Sequence, residues 1–375
     1  MRVMILEDDP WIADLLKQIV LNLRPAAQVA CLDKVADALL DWQRQGADLL
    51  IVDWNLPDGP GTRLLEQVRQ QDRALPVIMV TGRSDRNSVL EVRPLGISAF
   101  ISKPFQVPKV LECLARLLPA AAADRMAALE PAGSFTDYLA ERPAGALDLP
   151  LQAGVLDNLQ PDPDRAPTVA QLLARWQRDP ALTGRLLAAA NSSPYNQTGT
   201  PCLSLAAALQ AMGAATSLNL GLGLGLRPVA ELREPDLQLQ ALAQMQQVER
   251  LYLRVGELAR QCQLDPAPLQ TAALLHRMGE LCLLHQAQAW QDSGQPLSAE
   301  QLDHALQSAS HTLANRLKVQ WRLPLPLRDL IGACYGLPSN NVKRETILMR
   351  MAACELDATP DAQDQARLRR LAGLP

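Results

Sequence analysis

The chain has 375 residues, 48% hydrophobic and 20% charged, enough apolar material for two or more folded domains and too much for a disordered or collagen-like chain. Acids (40) outnumber bases (36), on either side of Leu118 alike, and aromatic residues make up only 3%. Nucleic-acid binding through phosphate neutralisation or base stacking is therefore disfavoured.

In chain order, strand-length apolar runs recur at 3–6, 29–32, 49–52, 77–80 and 99–101. Between them lie stretches of helical period, such as Trp11, Leu15, Leu16, Ile19 and Leu23, or Leu64, Leu65 and Val68. Five βα units predict a parallel sheet covered by helices on both faces. The runs lack polar alternation, which predicts strands buried on both sides.

Ligands of such sheets bind beyond the carboxyl ends of the strands. The first run ends in Glu7, Asp8 and Asp9, the third in Asp53, the fourth in Thr81, and the fifth leads into Lys103 and Pro104. Carboxylates converging on one edge repel one another unless a cation or a proton relieves them, and hard oxygen ligands suit Mg²⁺. Beside such a metal Asp53 can attack a phosphoryl group, while the Thr81 hydroxyl and the Lys103 ammonium stabilise its equatorial oxygens. Asp9 reads as a helix N-cap acid and Asp58 as a turn residue.

The segments ILEDD, LLIVDWNLPDGPG, VIMVTG and ISKPF, in that order and spacing, resemble the receiver domain of two-component response regulators. The resemblance covers residues 1–118 and implies a flavodoxin-like (βα)5 fold. It makes Glu7 and Asp8 the acidic pair, Asp53 the phosphoacceptor, Thr81 the switch hydroxyl, Phe100 the aromatic switch and Lys103 the phosphate-binding lysine. It also implies that the backbone carbonyl of Asn55 joins Glu7, Asp8 and Asp53 around Mg²⁺, that the Lys103–Pro104 bond is cis, and that a sensor histidine kinase donates the phosphoryl group. Pro94 departs from the pattern, lying where the fourth helix should end.

From Pro119 the composition shifts to Ala with Pro and Gly punctuation, which predicts a partly helical linker over 119–145. Beyond it strand patterns vanish and helical ones dominate, as at Val169, Leu172, Leu173 and Trp176, with helix starts near Thr168 and Asp179. No charged side chain occurs from Leu186 to Leu226, but Asn and Pro interrupt the run, so a packed bundle is expected there instead of a membrane span. The GLGLGL run at 221–226 lacks GxGxxG spacing and reads as a close-packing segment or a helix end. The stretch from TVAQLLARWQRDPALTG through NSSPY to QAMG resembles the HDOD domain, as do LLHRMGELCLL, NRLKVQWRLPLPLRDLIGA and ETILMRMAACEL. This resemblance implies an all-helical HDOD bundle over 146–358, leaving 359–375 as a tail.

Catalytic HD phosphohydrolases, to which that family is related, hold metal through His-Asp pairs. Here His276 is followed by Arg277, and a cation in an anionic ligand position repels metal. His304 and His311, seven apart on one predicted helix, lack a clustered acid set, and the remaining histidine, His285, brings none either. The seven cysteines (31, 113, 202, 262, 282, 334 and 354) form no CxxC pair, and the acidic start MRVMILEDD is unlike a signal peptide, so free thiols in a cytoplasmic protein are expected. The expectation is a phosphorylation-controlled response regulator whose HDOD half binds a protein partner or a second copy of the chain without turning over substrate. The rival is a receiver-controlled HD-type phosphohydrolase acting on a cyclic dinucleotide.

Overall fold

A computed structural model of the protein describes residues 1–82, 93–103, 105–118, 133–157, 167–196, 198–227, 230–337, 342–356 and 362–374. Two compact units emerge. One contains residues 1–118 together with 215–227; the other contains the rest of the described chain.

The first unit is built on a five-stranded parallel sheet: β1 (Arg2–Leu6), β2 (Gln28–Leu32), β3 (Leu49–Asp53), β6 (Val77–Thr81) and β7 (Ala99–Ser102) in the order β2-β1-β3-β6-β7. A short hairpin, β4 (Asn55–Leu56) with β5 (Gly59–Pro60), follows β3. Successive side chains of a strand point to opposite faces, so the apolar runs seed two cores. Val3, Ile5, Leu49, Ile51, Ile78 and Val80 face helices α1 (Pro10–Leu23) and α4 (Val107–Leu117). Met4, Leu6, Leu50, Val52, Val77 and Met79 face α2 (Val35–Gln45) and α3 (Thr62–Gln71). The fold is the expected flavodoxin-like α/β arrangement.

Not every strand is buried on both faces, however. β1, β3 and β6 are, apart from Arg2 at the start of β1, whereas β2 and β7 are partly exposed because they form the two edges of the sheet. Residues 83–92, where the fourth receiver helix is expected, and Pro104 with its peptide bond lie outside the described residues. Pro94 sits in a 3₁₀ turn, Arg93–Leu95.

The helix Ala214–Gly225 carries most of the GLGLGL run, and its residues from 215 onward belong to this first unit. Leu222 and Leu226 pack against the core on the α1/α4 side. A Cβ on Gly223 would fall 2.4 Å from Leu15 Cδ1, so glycine lets the helix come this close to α1 with the Leu15 side chain in its place. Asn219 Nδ2 donates to the Phe105 carbonyl, and Arg227 pairs with Asp14 at 2.7 Å.

Among the described residues the regular structure of the second unit is all helical. The part of the predicted linker that is described, from residue 133, carries the helix Phe135–Glu141, whose Phe135 and Tyr138 meet Trp290 edge-on at 5.7 and 5.0 Å. Thr168 and Asp179 cap helices Val169–Trp176 and Pro180–Ala190, as expected from their side-chain chemistry. The residues that made the second half distinctive are structural clamps. Trp321 lies against Gly184, where a Cβ would come within 2.1 Å of the ring, and Arg185 pairs with buried Asp148 at 2.7 Å. Asn191 accepts from Cys202 N and donates to the Leu187 and Cys202 carbonyls, closing the loop after NSSPY. All seven cysteines are free and five are buried. Among the described residues no single helix is long and apolar enough to cross a membrane; the successive helices Leu205–Met212 and Ala214–Gly225 reach that length and hydropathy only when taken together.

Candidate functional site

The parallel register aligns the carboxyl ends of β1, β3 and β6, and with them the residues that terminate each strand. Leu6 pairs with Val52, Asp53 with Val80, and Thr81 with Ser102. Glu7 and Asp8 therefore stand beside Asp53, with carboxylate oxygens of all three within 4.8 Å of one another. Glu7 and Asp53 are buried, and Asp8 is exposed at the mouth. Lys103, just past β7, bridges the two buried acids: its Nζ donates to Glu7 Oε1 (2.8 Å), Glu7 Oε2 (2.6 Å) and Asp53 Oδ2 (2.7 Å). The backbone links the same elements, since Lys103 N donates to the Thr81 carbonyl at 2.7 Å.

The electrostatics show acids in excess. Burial pushes the Glu7 carboxyl up to about 7; Lys103 pulls it down and Asp53 pushes it further up. Asp8 is raised by the same two causes, burial first and then the Asp53 charge. For Lys103, burial favours the neutral amine, but the charges and hydrogen bonds of Glu7 and Asp53 together prevail and its pKa is raised. One ammonium thus faces three carboxyls, and the donor set is entirely oxygen. Those are the ligands a hard divalent cation takes, so the grouping of Glu7, Asp8 and Asp53 suits a metal ion.

The expected residues Glu7, Asp8, Asp53 and Lys103 come together, and Thr81 is fully buried at the neighbouring strand end. Asn55 is exposed on β4, its amide 3.4 Å from Asp53 Oδ1. Phe100 on β7 is half-buried against the core on the α2/α3 side. Asp9 caps α1 by accepting from Trp11 N at 2.9 Å. Asp58 does more than occupy a turn: its carboxylate accepts from Val35 N and Ala36 N and caps α2 from across the chain. His304 and His311 are exposed on the helix Ala299–Gln320, and Arg277 pairs with Glu280 at 2.6 Å. Among the described residues the only grouping suited to a metal is Glu7, Asp8 and Asp53.

Gly61 escaped the residue-type reading although it lies in DGPG. A Cβ there would come 2.0 Å from the Asp53 carbonyl oxygen, so glycine is what lets α3 begin against the end of β3. Trp54 N donates to Asp53 Oδ1 at 2.5 Å and helps fix the carboxylate. A backbone donor leaves no side-chain signature, so sequence reading alone could not find it.

These features define a receiver. The family model of the response regulator receiver domain matches residues 3–115, and that of the HDOD domain matches residues 153–336. The chemotaxis protein CheY of Pseudomonas aeruginosa is 29% identical over 119 residues, 31% of this chain and 95% of that protein. The transcriptional regulatory protein PhoP of Escherichia coli is 30% identical over 118 residues, 32% of this chain, which spans about half (52%) of PhoP. Among solved structures, the non-phosphorylated HemR receiver domain from Leptospira biflexa shares 26% identity, with a TM-score of 0.30, over 33% of this chain and 98% of its own. The chain is a response regulator receiver domain followed by an HDOD domain, a signal-transduction protein. A receiver in general implies a histidine kinase as partner.

Proposed function

We propose that Asp53 accepts a phosphoryl group from a sensor histidine kinase, and that this event switches a non-catalytic HDOD binding module in the cytoplasm. The observation that carries the first half is the convergence of Glu7, Asp8 and Asp53 around the Lys103 ammonium at one sheet edge. In the transfer an Asp53 carboxylate oxygen bonds to phosphorus, the bond from phosphorus to the kinase imidazole breaks, and the imidazole leaves. Glu7, Asp8 and Asp53, with the Asn55 carbonyl, would hold Mg²⁺, which would supply charge to neutralise the carboxylates and the phosphoryl oxygens. Lys103 exchanges its bond to Asp53 for one to the new group, and the Thr81 hydroxyl donates to another of its oxygens. Phe100, half-buried beside Thr81's strand, follows the hydroxyl inward.

The second half of the reading is supported by residues 215–227. They lie within the stretch matched by the HDOD model yet fold as part of the receiver's unit, tied by Asn219 to the carbonyl two residues beyond Lys103. A change at Lys103 is therefore two residues of backbone and one hydrogen bond away from an HDOD segment. The output is binding, to a protein partner or to a second copy of the chain, because Arg277 stands paired with Glu280 where the related hydrolases need a metal-binding acid.

Intact-mass measurement after incubation with acetyl phosphate and Mg²⁺ tests the acceptor. One added phosphoryl group is expected, absent in Asp53→Asn and without Mg²⁺; modification that persists in Asp53→Asn overturns the assignment. Mn, Fe or Zn held stoichiometrically by the second unit, together with hydrolysis of a cyclic dinucleotide, would overturn the non-catalytic output.

A further inference from the structure

The second unit contains a cavity of about 590 Å³ that the receiver chemistry does not use. Its size lies within the range of small-molecule sites. Three arginines contribute to its wall, Arg250, Arg277 and Arg350, and among the described residues no acid does. Tyr335, Leu251 and Leu356 supply aromatic and aliphatic surface to the same wall.

Packing alone does not account for this set. Gathering guanidinium groups around one space costs Coulomb energy that packing does not return. Glu280 answers only one of them, pairing with Arg277 Nη1 at 2.6 Å. Arg277 Nη2 donates to Gln247, while its Nε is buried with no partner among the described residues. Arg350 donates to the Cys334 carbonyl at 2.9 Å, a neutral acceptor that fixes its position, and has no ion-pair partner among the described residues. Arg250 is exposed at the edge, with no ion-pair partner among the described residues. Arg277 is also the residue before the helix Met278–Asp292, which begins without a side-chain cap and carries one acid, Glu280, in its first turn.

The apolar part of the wall is equally fixed. The Tyr335 hydroxyl donates to the His276 carbonyl at 2.6 Å, which anchors the ring. His276 itself is buried, and its Nδ1–H donates to the Ala273 carbonyl at 2.6 Å; burial depresses its pKa to about 4, so it brings no further charge at neutral pH.

The geometry points to a binding site for a nucleotide, its phosphates held by Arg250 and Arg350 with Arg277 adding charge, and its base lying against Tyr335, Leu251 and Leu356. Guanidinium groups suit phosphate oxygens because their donors are planar and permanently charged. This site goes beyond the receiver reading and does not depend on it.

Calorimetric titration of the full-length protein in EDTA, with ADP, GDP and inorganic pyrophosphate as separate probes, tests it. ADP or GDP is expected to bind with affinity that falls as salt is added. Arg250→Glu and Arg350→Met should each weaken that binding at least about tenfold. Arg250 is exposed, so its variant separates lost binding from lost folding. Tyr335→Ala should weaken the nucleotides and leave pyrophosphate unchanged. Lys103→Met should leave all three unchanged, which distinguishes this cavity from the receiver pocket. No binding of any probe, or binding indifferent to both arginine substitutions, overturns the site. Pyrophosphate bound as tightly as ADP and GDP overturns the nucleotide assignment.

Discussion

Glu7 sets the pH behaviour of the acidic pocket. Its folded-state pKa of about 7 lies above the ordinary 4.5, so between those values the folded protein holds a proton that the unfolded chain has released. The contribution of Glu7 to stability is then fully present below about 4.5 and is lost as pH rises through 7, a change of order 3 kcal/mol. A cation competing with that proton binds better at higher pH. The rise in melting temperature on adding Mg²⁺ is expected to be larger at pH 8 than at pH 6, and Glu7→Gln should abolish most of the difference. Equal Mg²⁺ increments at the two pH values in the wild type would show that Glu7 is not a ligand. Gly61 makes a second residue-scale case. In Gly61→Val the new Cβ meets the Asp53 carbonyl and Val52 Cγ1, so β3 and α3 must part. A loss of at least about 2 kcal/mol in urea unfolding is expected, together with slower phosphorylation. A variant as stable as wild type would mean that the start of α3 can move freely.

The helix Ala214–Gly225 offers a prediction in which packing and charge can be weighed separately. Arg227–Asp14 is a partly exposed pair, so Arg227→Ala should cost no more than about 1 kcal/mol. Gly223→Leu forces a side chain into Leu15 and should cost about 1–3 kcal/mol. If urea unfolding of the full chain ranked the two the other way, charge and not close packing would hold this helix in place. The glycine–leucine alternation was legible as close packing from sequence, but its partner was not, because nothing local in 221–226 specifies α1. The same limit applies elsewhere at this scale. Helix starts at Asp9, Thr168 and Asp179 were readable because each cap binds its own first turn. The cap of α2 was not, since Asp58 reaches it from 22 residues away. The exposed faces of β2 and β7 were also hidden: an apolar run does not say whether another strand lies beyond it.

For the whole molecule, the acidic site was readable from residue type and order because a parallel sheet brings strand ends together whatever the intervening helices contain. The division of the chain into units was less so, because residues 215–227 leave the helical half in space without any change in composition. That placement makes the coupling measurable. If phosphorylation of Asp53 draws Lys103 toward the new group, the Phe105 carbonyl two residues on shifts, and with it the hydrogen bond from Asn219. Amide exchange across 215–227 should then change at least about twofold when beryllofluoride and Mg²⁺ are added, since local opening follows the free energy of the contacts that close it. Asp53→Asn should abolish the change, and Asn219→Ala should raise exchange in this segment before any addition while leaving the amides of β3 unaltered. Protection that stays constant through 215–227, while the amides around Thr81 and Lys103 respond, would place the route from receiver to HDOD domain in the linker instead.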